Sequence, residues 1–321
     1  MRIARTLSLL MAAVVAVALI VTLAACGSSS SGGGSGASSS ASPAASGFNI
    51  ANVKADSSLN ALLPAAVKSA GTIRVATNIP YAPWEMYTAV GSKQATGIDY
   101  DLSQAIAARL GVKSSFDQTA FDSIIPALLA GKEDMVMASM FDNAERQKQL
   151  DFVDYANDGY GILVPASNPG NIHTVDDLSG QPVAVQSGTS QIGELQKLNA
   201  KFTAAGKAPV KILQFPQDSD ALLAVTSGKA VAQMDDQSVA AYTVKTFGGG
   251  STFTLVNDPS VASSFSNAII GVGVPKTDTQ LRDAVQKSLQ SLIDDGTYTQ
   301  ILNKYGEGSL AVTSAQLNQG K

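Results

Sequence analysis

The stretch "DYDLSQAIAARLGVKSSF" (Asp99–Phe116) decides the fold class, because its periodicity changes partway along. Over Asp99–Gly111, Leu102, Ile106 and Leu110 share one face at helical spacing. Asp99 or Asp101 can cap the start, and Gly111 ends the helix. "VKSSF" (Val112–Phe116) then reads as a strand. Upstream, "TIRVAT" (Thr72–Thr77) is a short buried strand. Downstream, "FDSIIPALLAGK" is a helix ending at Gly131, and "DMVMAS" is the next strand. This βαβαβ order implies a mostly parallel sheet with right-handed crossovers. Ligands of such sheets bind beyond the carboxyl ends of the strands.

After "YGILVPASNPGN" the rhythm restarts. "PVAVQ", "VKILQF" and "AVAQM" are strands, and "SGTSQIGELQKLNAKF", "DSDALLAVTSGK" and "DDQSVAAYTVKTF" carry helices. "NAIIGVGVP" is a further strand, followed by the amphipathic "TQLRDAVQKSLQSLIDDG" and a short helix in "GTYTQILNKYG". The fold class is α/β, with two lobes built on mostly parallel central sheets. Residues 48–164 form the first part of lobe 1, 165–265 form lobe 2, 266–306 return to lobe 1, and 307–321 are a C-terminal tail. Crossings near Val164 and Ser266 make a hinge with a ligand cleft between the lobes.

The N-terminus reads as an export signal over residues 1–25. Arg2 and Arg5 precede an apolar run, which ends in "LAAC" (Leu23–Cys26). This pattern resembles the lipobox of bacterial lipoproteins, in which the cysteine is diacylated and becomes the new N-terminus. An ordinary secretory signal and an uncleaved anchor are the other readings. Cys26 is the only cysteine, so no internal disulfide can form. The Gly/Ser-rich segment that fills residues 26–47 has too little apolar bulk to offset its ordering entropy and reads as a flexible tether. These features place the folded part outside the cytoplasm, periplasmic or at the cell surface and anchored to a bacterial membrane.

Several chemistries lack their residues. One histidine, His173, and one cysteine are too few for a zinc site of the usual kind. No glycine-lysine pair precedes Ser or Thr, and "GVGVPK" (Gly271–Lys276) lacks the third glycine of a dinucleotide loop. No metal or cofactor is expected. The chain has 22 Lys+Arg against 26 Asp+Glu, and loss of Arg2 and Arg5 moves its net charge from −4 to −6. That balance argues against a nucleic-acid partner. Abundant carboxylates leave acid/base catalysis open without pointing to it.

The ordered set "GTIRVATNIPYAPWEM", "GIDYDLSQAIAARLGV", "FDSIIPALLAGKEDMVMASM", "AERQKQLDFVDY", "TVDDLSGQPVAVQSGT", "GKAVAQMDD" and "DGTYTQILNKYG" resembles one family. It is that of the extracellular solute-binding proteins of polar amino acid ABC uptake, bacterial solute-binding protein family 3, with the periplasmic binding protein type 2 fold. The resemblance covers about Gly71 to Gly306. It implies a monomeric, non-enzymatic receptor that captures a polar amino acid or similar zwitterion by hinge closure and docks on an ABC permease. The alternatives are a dehydratase of the cyclohexadienyl dehydratase type on the same scaffold, and a sensory lipoprotein.

A free amino acid needs both its charges matched when it leaves water. The resemblance places the carboxylate on Arg146, whose planar fork can donate two hydrogen bonds at once. The plain alternative is a solvated arginine paired with Glu145 or Asp142. The ammonium is assigned to Asp236, which could also cap the helix that follows it, while Asp235 points elsewhere along an extended segment. Thr189 and Ser190, at a helix N-terminus, add carboxylate donors or simply cap that helix. Gln186 can bond a ligand side chain, and Tyr81 and Phe121 sandwich its aliphatic part. The carbonyl of Ser139 accepts from the ammonium. Trp84 is assigned to packing on lobe 1. Phe141 and Asn143 stand where the family commonly has threonine, and Phe141 cannot supply a side-chain hydrogen bond.

Overall fold

The computed structural model describes residues 48–265 and 267–321. The expected signal segment, Cys26 and the tether lie outside the described residues, as does Ser266.

The strands are β1 (Thr72–Thr77), β2 (Met86–Tyr87), β3 (Ala95–Thr96), β4 (Lys113–Gln118), β5 (Met135–Val136), β6 (Phe141–Asp142) and β7 (Leu150–Asp158). They continue with β8 (Tyr160–Pro165), β9 (Pro182–Gln186), β10 (Lys211–Phe215), β11 (Ala232–Asp236), β12 (Phe253–Leu255) and β13 (Ala268–Pro275). One large sheet has the order β4-β1-β5-β13-β6, with β7 also paired to β13; the other large sheet has the order β10-β9-β11-β8-β12, and β2 and β3 pair antiparallel by themselves. The α/β class and the two lobes are therefore observed. Each large sheet has three neighbouring parallel strands, β4-β1-β5 and β10-β9-β11. Antiparallel strands flank them: β13 against β5, β6 and β7, and β8 against β11 and β12. These flanking strands carry the chain between sheets, which is why strand-helix alternation alone does not reveal them.

The helix Ile98–Arg109 buries Leu102 and Ile106 completely, as the spacing requires, and Leu110 follows in the same core. Each such side chain contributes about 1.5–3 kcal/mol by leaving water. The start of this helix differs from expectation. Its N-cap is Gly97 at φ 122°, and neither Asp99 nor Asp101 caps it. Asp99 is buried and bonded elsewhere. "DMVMAS" forms only the two-residue β5, because Ser139 leaves the ladder at φ 45°.

The first change of sheet falls at Gly159, between β7 and β8, rather than near Val164. No turn residues other than one glycine mark it. The proline- and asparagine-rich signal that suggested a later crossing belongs to a loop inside the second lobe. The second change lies between the helix Pro259–Ser264 and β13. The tail is built into lobe 1. Ala311 and Leu317 bridge Ala156 and Val153 antiparallel, and Asn318 exchanges backbone and side-chain hydrogen bonds with Phe152 (3.1 and 2.8 Å). Gly320 N–H donates to Asp142 (2.7 Å), and Gln147 Nε2 donates to Gly320 O (2.9 Å). The C-terminus is thus fastened beside the segment that carries Phe141 and Arg146.

Candidate functional site

The carboxyl ends of β1, β5, β9 and β11 converge on a small cavity between the two large sheets, partly open to solvent. All nine residues picked from the sequence line it: Tyr81, Phe121, Ser139, Phe141, Arg146, Gln186, Thr189, Ser190 and Asp236. Asn78, Glu85 and Ala138 complete the wall and were not anticipated.

Arg146 begins a short 3-10 turn, and its backbone N–H donates to Asn143 Oδ1 (2.9 Å). Its guanidinium is buried rather than solvated. One N–H goes to the Phe141 carbonyl (2.6 Å), another crosses to the Gly188 carbonyl in the second lobe (3.1 Å), and the plane lies 5.5 Å over the Phe121 ring. Glu145 pairs with Lys148 instead, and among the described residues no carboxylate forms a salt bridge with Arg146. Burial brings its pKa down to about 10, so it stays charged at neutral pH. A buried, charged guanidinium with only two carbonyl partners has donors left for an anion.

Asp236 takes the N-cap position of the helix Gln237–Thr246, but its side chain makes no cap bond. It accepts instead from Ser139 Oγ (2.9 Å) and Gln191 Nε2 (2.7 Å). Asp235 was expected to point away. It is buried and accepts from the Tyr81 hydroxyl (2.5 Å). Gln186 donates to Asn78 Oδ1 (2.7 Å) and Trp84 Nε1 to Ser238 Oγ (2.8 Å), so both residues join the two lobes. Trp84 also meets Tyr155 edge-on in lobe 1 at 6.0 Å. Thr189 occupies the N-cap of the helix Ser190–Ala204 without a capping bond, and its hydroxyl donates to the Gln186 carbonyl (2.8 Å). The helix N-terminus therefore opens on the cavity beside Arg146, where its backbone N–H groups favour an anion.

Phe141 is buried and packs edge-on against Tyr160, with centroids 5.3 Å apart. With Arg146, Thr189 and Ser190 it separates the inner cavity from a larger outer groove that also reaches Lys321. Its side chain supplies a wall, and its carbonyl supplies the contact to Arg146. His173 is exposed in a loop of the second lobe. Among the described residues no cluster of three or more His, Cys, Asp or Glu is placed to hold a metal ion. No helix among them is long and apolar enough to cross a membrane.

Two α/β lobes, joined by two chain crossings over a small cavity lined by charged and aromatic side chains, define a two-lobed ligand-binding protein. The chain belongs to the bacterial extracellular solute-binding proteins, family 3, whose model matches residues 73–308. It is 29% identical over 237 residues to the putative ABC transporter arginine-binding protein 2 of Escherichia coli (strain K12), covering 74% of this chain and 91% of that protein. An ancestral arginine-binding protein solved with arginine is similar at 34% identity and a TM-score of 0.65, covering 74% and 98% of the two chains. The ancestral amino acid-binding protein AncCDT-1, a precursor of cyclohexadienyl dehydratase, is similar at 34% and 0.65, covering 75% and 97%.

Proposed function

We propose that this protein is the receptor of an ABC importer for a polar amino acid, held at a membrane by a lipid on Cys26 and tethered by the Gly/Ser segment. The observation that carries the reading is Arg146, a buried guanidinium without a carboxylate partner that faces the same small cavity as Asp236. A zwitterion fits that pair, its carboxylate on Arg146 and the N-terminus at Thr189–Ser190, its ammonium on Asp236 and the Ser139 carbonyl. Tyr81 and Phe121 would flank its stem, with Gln186 and Asn78 beyond. Ligand contacts drawn from both lobes favour the closed form, which would then dock on the permease. The names of the relatives support an amino acid and an uptake system.

The test is a thermal-shift and calorimetric screen of the mature protein against the twenty standard amino acids. A binder raises the melting temperature by mass action. At least one amino acid is expected to bind, and Arg146→Ala is expected to weaken it by about 2–5 kcal/mol, roughly 30- to several-thousand-fold. Binding by none of the twenty, or turnover of prephenate or arogenate in place of simple binding, would remove the receptor reading.

A further inference from the structure

Glu85 lines the cavity, is fully buried, and neither of its carboxyl oxygens receives a hydrogen bond from a described donor. It follows Trp84 in the loop that leads into β2. A side chain at Gly97 would strike the Trp84 carbonyl and the Glu85 backbone, so this loop is fixed against the start of the helix Ile98–Arg109. The side chain that Glu85 faces is another acid, Asp99. Asp99 is already committed: it accepts from Ser139 N–H (2.7 Å) and from the Tyr155 hydroxyl on β7 (2.5 Å).

From the second lobe, Asp236 acts on Glu85, with Asp158 and Asp235 close to Asp236 in turn. Tyr155 and Tyr81 remain neutral, because burial pushes both hydroxyls well above their usual range. The single cation in the cavity wall is Arg146. Two facing carboxyls buried this deeply cannot both ionise and are stable when they share one proton. Burial, then Asp99, pushes Glu85 well up, and burial carries Asp99 to about 6. Glu85, facing Asp99, is thus the proton holder of the pair at neutral pH.

A ligand ammonium beside Asp236 changes that balance. Ser139 links the two acid sites, its N–H on Asp99 and its hydroxyl on Asp236. A positive charge close to a carboxyl favours its ionised form, and more strongly in a buried site than in water. We infer that Glu85 is a second acidic contact for the cationic end of the ligand, and that the proton it shares with Asp99 leaves for solvent when the ligand enters. The inference rests on the amino-acid reading above, and it makes capture proton-linked: a higher pH tightens binding.

The test is calorimetry of the whole mature protein with L-arginine, L-glutamine and any stronger binder from the amino-acid screen. Titrations run in buffers of different protonation enthalpy, at several pH values. The expected result is release of up to about one proton per ligand near neutral pH, with affinity rising up to about tenfold per pH unit. Glu85→Gln keeps a donor toward Asp99, so it is expected to fold. It should bind about tenfold or more weakly and release fewer protons than wild type, any remainder coming from Asp236, which burial also holds well above its usual range. Asp99→Asn is the second variant: it removes the neighbouring charge but leaves the burial of Glu85, so release is expected to be smaller than in wild type without being abolished. Wild-type binding without proton release, or release in Glu85→Gln undiminished from wild type, overturns the inference while leaving the receptor reading in place. Absence of binding by every amino acid overturns both.

Discussion

Asp236, Asp235, Asp99 and Asp158 are buried or nearly so, and each carries its carboxyl into a polar network instead of toward solvent. Burial raises Asp99, Asp235 and Asp158 to about 6, and Asp154, beside Asp142 under the C-terminal strap, to about 7. In the unfolded chain these groups titrate near 3.8. Between those values the folded state binds more protons than the unfolded state, so these groups make stability fall as pH rises. Asp151, lowered by its bonds to Lys276 and Arg282 against the opposing effect of burial, acts the other way, as do Asp56, Asp177, Asp258 and Asp295, but these are ionised in both states above about pH 5. The melting temperature of the ligand-free protein is therefore expected to drop from about pH 5 to about pH 7. A melting temperature that rises across that window would show that these carboxyls are ionised when buried. At this scale the sequence was informative about charge and shape but not about direction. Arg146 and Asp236 were legible because their chemistry matched an ordered set of motifs. Asp99 was read as a helix cap because an aspartate at a helix start usually is one. Glu85, beside the only tryptophan in a proline-rich loop, carried the one sequence signal for a buried acid, and it passed unread.

At the scale of elements, Gly188 is a point of close approach between the lobes. It turns at φ 79°, and a Cβ there would sit 2.8 Å from the Asp122 Cα of the other lobe, next to Phe121. Its carbonyl takes an N–H of Arg146. Gly188→Ala adds both backbone strain and an interlobe clash, each specific to the arrangement seen. Ligand affinity is expected to fall about tenfold or more, as a cost of about 1–3 kcal/mol implies. Small-angle scattering should show a larger radius of gyration with ligand present, with little change in the separate lobes. Unchanged affinity and dimensions would mean that the lobes bind without this approach. Most strands and helices were readable from periodicity, since Leu102, Ile106 and Leu110, or Val183 and Val185, alternate as burial demands. The single-glycine crossing at Gly159 and the built-in tail were not. Neither depends on local pattern: the first is a change of sheet partner, and the second is held by backbone bonds to distant residues.

Over the whole molecule, direct links between the lobes cluster around the cavity and include Tyr81–Asp235, Ser139–Asp236, Asn78–Gln186, Trp84–Ser238 and Arg146–Gly188. The cavity residues are thus also the fastening between lobes, and the class of fold follows from a motif order spread over nearly all the folded chain. The central claim is that Arg146 holds a ligand carboxylate inside this enclosure. The most direct measurement is a calorimetric cycle with the best-binding amino acid and its α-carboxamide, on wild type and Arg146→Ala. Wild type is expected to bind the acid about 30-fold or more tighter than the amide, and the variant to bind both about equally. Equal affinities in wild type, or a preference for the acid that survives loss of Arg146, would contradict it.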